Sequence, residues 1–244
     1  MKAMILAAGL GTRLHPLTAS KPKALVEIHG ITLLELLLQK LKTSGIRQII
    51  INVHHFAEQI IDFLKQNHNF DLDIQISQEP ELLDTGGGLK KAAWFFNNEE
   101  SFLLHNVDVF SDIDLEHFQN MHLQSGALAS LAVRTRKSNR YFLSDAQNNL
   151  CGWESIAPPS KKIVRPPVGN IKQVSFMGIH IISPGIFSYM PASNKFSIID
   201  LYLDAAAKFN INTIDCQQNK WMDLGKPENI QNALNYFPEF FKNK

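Results

Sequence analysis

The stretch from Lys2 to Arg13, K-A-M-I-L-A-A-G-L-G-T-R, constrains the fold of this chain more than any other. Its first half is a short unbroken apolar run, the pattern of a strand covered on both faces of a sheet. Gly9 and Gly11 then let the backbone turn sharply and approach a ligand with no side chain in the way. The amides of such a loop converge on an anion, and Thr12 adds a hydroxyl donor. Arg13 brings a planar fork and Lys23 a compact point charge, both suited to phosphate oxygens. A buried strand, a glycine turn and two cations describe a phosphate cradle at a sheet edge.

Two common phosphate loops do not fit. No G-x-x-x-x-G-K-[ST] run occurs. Gly9 and Gly11 satisfy the start of G-x-G-x-x-G, but Leu14 stands where the third glycine belongs. The acidic residue expected at the end of a second strand is also missing, since Glu35 falls in a helix. A nicotinamide-dependent oxidoreductase is disfavoured on both counts.

Charge and length narrow the class further. The formal net charge of +1 over 244 residues provides no global field for nucleic acid or an anionic membrane, so any phosphate preference must be local. Neither a signal-peptide core nor a membrane-length apolar stretch occurs, and a cytoplasmic protein is expected. Cys151 and Cys216 lack C-x-x-C spacing and read as buried free thiols.

Along the chain, strands alternate with helices at intervals that favour right-handed crossovers and an α/β, Rossmann-like, mostly parallel mixed sheet flanked by helices. Leu25–Ile28 reads as a short strand. Thr32-Leu-Leu-Glu35 has capping-box spacing and opens a helix that should stop near Gly45. Gln48–Val53 is a β-branched strand, Phe56–Leu64 has helical spacing, and Asp73–Ser77 is a strand. Leu128–Val133 is a further strand, and Arg140–Ser144 with Leu150–Glu154 reads as a hairpin. The prolines around Lys161, Lys162 and Arg165 mark a solvated loop. Ser197-Ile-Ile-Asp200 is a second capping box for a helix to Lys208. Pro227–Tyr236 is the last helix, with Phe237, Phe240 and Phe241 packing on the core. His54-His55 has no partner at metal-ligand spacing and reads as a loop pair. The whole is expected to be one domain, 1–244, with a nucleotide-binding half over about 1–110 and a sugar-binding half over about 111–244.

Three segments carry chemistry beyond the first loop. Gln78 to Gly88 follows a strand, and Gly86 to Gly88 at a helix start leave bare backbone against which a flat base could lie, while Gln78 offers an amide to a base edge. Phe102-Leu-Leu-His-Asn-Val-Asp108 is an apolar strand ending in a carboxylate, at the crevice where α/β sheets bind ligands. Trp221-Met-Asp223 supplies a second carboxylate far along the chain, which only the fold can bring to the first.

L-A-A-G-x-G-x-R followed by Lys-Pro-Lys23-Ala-Leu resembles the signature of the sugar-1-phosphate nucleotidyltransferases, the nucleotide-sugar pyrophosphorylases. Asp84-Thr-Gly-Gly-Gly88, Asn106-Val-Asp108, Phe176-Met-Gly178-Ile and Trp221-Met-Asp223-Leu-Gly225 continue the resemblance in the family's order. The pattern is most similar to the N-acetylmuramate-1-phosphate uridylyltransferase branch and shares much with mannose-1-phosphate guanylyltransferases. The resemblance implies an NTP and a sugar 1-phosphate as partners and Mg²⁺ as cofactor, held by Asp108 and Asp223. It assigns catalysis to Arg13, Lys23, Asp108 and Asp223. It assigns nucleotide binding to Leu6, Ala7, Ala8, Gly9, Gly11, Thr12, Gln78, Thr85 and Gly86. Where the family commonly has Gly-Asp, this chain has Val107-Asp108, and the family's E-K-P-type element is not recognisable, which leaves Gly178 and Glu154 as the sugar-facing candidates. No residues remain for a C-terminal β-helix, so a second, acyltransferase activity is not expected. A monomer or weak homo-oligomer is expected.

Overall fold

A computed structural model gives the structure of the chain and describes residues 1–241. The backbone forms two compact units. The first comprises residues 1–82, 104–114 and the segment from Asn219 on; the second comprises 83–103 and 115–218.

In the first unit the apolar run after Met1 becomes the strand Lys2–Leu6, parallel to Gln48–Val53, which is in turn parallel to Asp73–Gln78. Ala3, Met4 and Ile5 face Ile49, Ile50 and Ile51 in register, and all six are fully buried. This is the continuous apolar pattern of a strand covered on both faces. Thr32 caps the helix Leu33–Thr43 by accepting the Glu35 N–H at 3.1 Å, and Gly45 follows with φ of 77°. The helix Ala57–Gln66 completes the second crossover. The expected strand Leu25–Ile28 is shorter: Lys23–Leu25 forms a 3-10 turn, and only Glu27–Ile28 is extended, paired with Ile31–Thr32 in its own small hairpin. Pro22 ahead of the turn and Gly30 between the strands account for both breaks.

A hydrophobic cluster anchors the rest of this unit. Leu14, Val26, Ile28, Phe110, Leu224 and Phe237 are buried together, with Met222, Phe240 and Phe241 packed against them. Leu14, the residue that spoils the dinucleotide fingerprint, is therefore a core plug where a glycine would leave a hole. The aromatic tail also packs on this core, as its composition suggests.

The second unit is mixed. Arg140–Ser144, Leu150–Ile156 and Pro159–Ile163 run antiparallel in succession. Lys172–Ile182 pairs antiparallel with both Arg140–Ser144 and Ala129–Arg134, and Ile211–Asp215 lies parallel to Ala129–Arg134. The expected loop around Lys161 is thus an exposed strand, where Pro159 occupies the first position, the place an edge strand tolerates proline. Phe96, Phe102 and Phe187 stack with ring centroids 3.9 and 5.7 Å apart in sequence. The helix Ile198–Ala206 begins at Ser197, whose hydroxyl accepts from the Ile199 N–H. The α/β class holds, with all-parallel pairing along Lys2–Leu6, Gln48–Val53 and Asp73–Gln78 in the first unit, a mixed sheet in the second, and no β-helix among the described residues. No helix among them is long and apolar enough to cross a membrane.

Candidate active site

The first loop turns where its glycines demand it. Gly11 has φ of 67°, and a Cβ there would stand 3.0 Å from Thr18 Cγ2 and 3.1 Å from Lys23 Cβ. The Gly11 carbonyl accepts from Thr18 Oγ1 and from the Leu14 N–H, both at 2.9 Å, which closes the turn. Gly9 and Thr12 are exposed, and Gly9 passes close to the Lys23 ammonium. Ala7 and Ala8 are buried, and the Ala7 N–H donates to Asn52 Oδ1 at 2.8 Å. That amide is thereby committed within the protein. Of the amides expected to face an anion, that of Ala7 is therefore not available.

Asp108 does not end the strand, which closes at Asn106. It sits in the tight turn between Phe102–Asn106 and the short strand Val109–Ser111. The Val107 N–H donates to the Leu6 carbonyl at 3.2 Å, fixing this turn beside the first loop. Val109–Ser111 pairs antiparallel with Trp221–Asp223, so that Val109 faces Asp223. The Leu224 N–H donates to the Asp108 carbonyl at 2.7 Å. This two-stranded ribbon is what joins the distant aspartates. Phe110 and Leu224 insert into the core cluster and leave the carboxylates at the other side.

Four charged side chains then meet. Arg13 Nη1 lies 3.1 Å from Asp223 Oδ2 and Nη2 lies 3.5 Å from Asp108 Oδ2, while Lys23 Nζ lies 2.8 Å from the same Asp108 oxygen. Asp223 Oδ1 accepts the Gly225 N–H at 3.0 Å, and Asn229 Nδ2 donates to the Asp223 carbonyl at 2.7 Å. Exposure separates the two cations: the Arg13 side chain is 59% exposed and that of Lys23 only 15%. Gly225 leaves room over the group, since a Cβ would fall 2.5 Å from Asp108 Oδ2 and 2.7 Å from Arg13 Nη2. Among the described residues no cluster of three or more metal-type side chains occurs. A pair of hard carboxylate donors under a bare glycine fits Mg²⁺, which takes one or two carboxylates and completes its shell with phosphate and water oxygens.

Beneath the loop lies a polar network that sequence reading did not single out. Asn52 Oδ1 accepts from Ala7 while its Nδ2 donates to Glu79 Oε1 at 2.7 Å, and both side chains are almost wholly buried. The Glu79 N–H continues the strand ladder onto the Val53 carbonyl, and His54 Nδ1 contacts the Glu79 carbonyl at 2.9 Å. His54 is thus a structural partner. The available signal was Asn52 itself, a polar residue inside the run Ile49-Ile50-Ile51-Asn52-Val53. Gln78 ends its strand exposed, next to this network.

The remaining candidates lie in the second unit. The Gly86 and Gly87 N–H groups both donate to the Phe196 carbonyl, and Cβ atoms there would collide with the Phe196 ring and the Asn194 carbonyl. Thr85 Oγ1 accepts the Ile198 N–H at 3.0 Å. The bare backbone of this motif is therefore used to seat residues 194–198. Lys90 strengthens that seat by donating to the carbonyls of Pro191, Ala192 and Ser193. Gly178 sits at a register shift in its strand with φ of 77°, a bulge that glycine accommodates. Glu154 accepts from Gln173 Nε2 at 2.8 Å, with Lys161 Nζ 4.0 Å away.

A parallel α/β unit in which a glycine loop, two cations and two carboxylates come together supplies the groups that phosphate oxygens require. The nucleotidyl transferase family model matches residues 2–239, and the chain belongs to that family. It is 32% identical to the N-acetylmuramate alpha-1-phosphate uridylyltransferase of Neisseria meningitidis serogroup B, over 92% of this chain and 93% of that one. It is 28% identical to the UTP–glucose-1-phosphate uridylyltransferase of Synechocystis, over 96% of this chain but only 62% of the relative's length. Further relatives are named mannose-1-phosphate guanyltransferases. Among solved structures, a UDP-glucose pyrophosphorylase from Acinetobacter baumanii shares the fold with a TM-score of 0.78 at 19% identity, covering 99% of this chain and 94% of that one.

Proposed function

We propose that this chain joins a sugar 1-phosphate to a nucleoside triphosphate, giving a nucleotide-sugar and pyrophosphate. The carrying observation is the convergence of Arg13, Lys23, Asp108 and Asp223 beside the glycine loop. A phosphate oxygen of the sugar 1-phosphate attacks the α-phosphorus, the bond from that phosphorus to the bridging oxygen breaks, and pyrophosphate leaves. Both reactants are anionic, so positioning and charge neutralisation are the main tasks. Arg13 and the amides after Ala7 hold the leaving β- and γ-phosphates. Lys23, held on Asp108, stabilises charge around the α-phosphate. Asp108 and Asp223 would hold Mg²⁺, which when bound supplies a Lewis acid for the phosphate oxygens. No general base is required, because the attacking phosphate is already ionised near neutral pH.

In this reading Leu6, Ala7, Ala8, Gly9, Gly11, Thr12 and Gln78 frame the nucleotide, while Thr85 and Gly86 are taken up in seating residues 194–198 and Gly178 and Glu154 are the sugar-facing candidates of the second unit. UTP with an N-acetylated sugar 1-phosphate is the leading pair, supported by the Neisseria relative, whose length this chain nearly matches. GTP with mannose 1-phosphate is the alternative, supported by the guanyltransferase relatives. The reaction is cytoplasmic, carried by a monomer or weak homo-oligomer without nucleic acid or membrane, and feeds cell-envelope polysaccharide. Four nucleoside triphosphates crossed with several sugar 1-phosphates, with Mg²⁺ and pyrophosphatase present, test it by phosphate release. Release with one pair is expected; none with any pair overturns the proposal.

A further inference from the structure

We infer that two copies of this chain pair through the exposed strand Pro159–Ile163, which meets its own twofold-related copy as an antiparallel extension of the sheet. The pairing concerns the second unit alone and does not depend on the transferase reading. The strand closes one end of its sheet, with Leu150–Ile156 on its inner side, and all five of its residues are exposed. Among the described residues no strand covers its outer side, and such an edge is a template for a further strand. The direction of its backbone groups follows from the register. The Val164 N–H donates to the Cys151 carbonyl, and a Cβ on Gly152 would run into the Lys162 carbonyl oxygen. Alternate residues of an antiparallel pair point their backbone groups the same way. Ser160 and Lys162 therefore face Leu150–Ile156, while the N–H groups of Lys161 and Ile163 point outward. Pro159 brings only a carbonyl to this edge.

An antiparallel pair centred on Lys161 suits that pattern. Lys161 exchanges both its backbone bonds with Lys161 of the second copy, and Ile163 donates to the Pro159 carbonyl opposite it. Every outward N–H of both strands then has an acceptor, and the missing donor of Pro159 is not called on. The side chains favour the same register. Pro159, Lys161 and Ile163 share a face with Ile156, Glu154 and Gly152. Ile156 is 49% exposed and Ile163 46%. The register sets Ile163 beside Pro159 and Ile156 of the other copy, so each end of the seam closes over an apolar group. At the centre the two Lys161 side chains meet, and like charges directly opposite repel. Glu154 lies 4.0 Å from Lys161, so two lysines and two glutamates leave the centre neutral. The seam is short, and the pairing is an equilibrium between monomer and dimer.

Sedimentation velocity of the full-length chain over a wide concentration range measures that equilibrium, and a species of twice 27.6 kDa is expected at the upper end. Lys161→Pro removes the two central donors and none that faces Leu150–Ile156, so it should weaken the dimer about tenfold or more while thermal unfolding changes little. Lys161→Asp, which gathers four carboxylates at the seam, should do the same and serves where Lys161→Pro does not fold. Lys161→Cys reports the register. The native Cys151 and Cys216 are buried, and mild oxidation should join two chains through residue 161, whereas Lys162→Cys, offset from its own copy, should not cross-link. Three results would each overturn the inference: a chain that stays monomeric throughout, a dimer that Lys161→Pro and Lys161→Asp leave intact, or Lys162→Cys cross-linking as readily as Lys161→Cys.

Discussion

Gly225→Ala probes the site through space alone. Gly225 is outside the left-handed region of backbone conformation, so alanine meets no backbone strain there. Its Cβ, however, would stand 2.5 Å from Asp108 Oδ2, 2.7 Å from Arg13 Nη2 and 2.9 Å from Asp223 Oδ1. A carbon–oxygen contact settles at roughly 3.3–3.6 Å, so the Asp108 carboxylate must retreat by about 1 Å. Arg13 yields easily because it is a flexible, exposed side chain. Asp108 does not, because its stem is short, its side chain is buried, and the Leu224 N–H grips its carbonyl. A misplacement of about 1 Å in a positioning group costs about 10²-fold in rate. The cost in stability is of order 1 kcal/mol, about 2–4 °C in Tm for a chain of this size. Pyrophosphate release should therefore fall about a hundredfold in kcat, more than the nucleotide KM rises, while thermal unfolding shifts only slightly. A variant within about threefold of wild-type turnover would refute the claim that this bare glycine sets the carboxylate geometry.

Asp108→Asn should lower kcat by 10²-fold or more while changing nucleotide affinity much less; equal losses in single-turnover and binding measurements would count against a role in the transition state. Asn52→Asp puts a second carboxylate against buried Glu79, so urea denaturation at neutral pH should show a loss of about 3 kcal/mol, with much of it recovered when Glu79→Gln restores a donor. Unchanged stability, or no recovery in the double variant, would dismiss the splint beneath the loop. Burial lowers His105 from 6.5 to about 4, and His122 moves the same way. Both are neutral when folded, so below pH 6.5 the unfolded chain takes up protons first and stability falls as pH drops towards 4, by about 3 kcal/mol for His105. Denaturation at pH 7.5 and 4.5 measures this, and His105→Asn should remove about half of the difference, the share of His122 remaining.

Much of the local structure was legible because its causes lie within a few residues. The apolar run ending at Leu6 can only be a covered strand, Thr32 and Glu35 carry their cap in their spacing, and Gly11 marks a turn that the chain must make. The helix Pro227–Tyr236 and the packing of the aromatic tail on the core were also legible in the sequence. Pairing of strands is a different matter. The segment around Lys161 reads as a loop by its prolines and charges, yet Leu150–Ile156 offers it an edge, and the hydrogen-bond ladder outweighs the weak local preference.

The sequence by itself determined that a glycine turn follows the first strand, that Arg13 and Lys23 follow it, and that carboxylates at 108 and 223 are available. Tertiary structure alone decided that those carboxylates share one guanidinium, because the ribbon Val109–Ser111 with Trp221–Asp223 is a contact between distant segments with no local signal. It also decided why particular residues are what they are. Leu14 fills a core, Gly225 clears space over a carboxylate, Gly86 and Gly87 admit the Phe196 segment, and Asn52 bridges the loop to a buried glutamate. Each of these depends on which atom arrives from elsewhere in the chain, and close packing, not local preference, makes that choice.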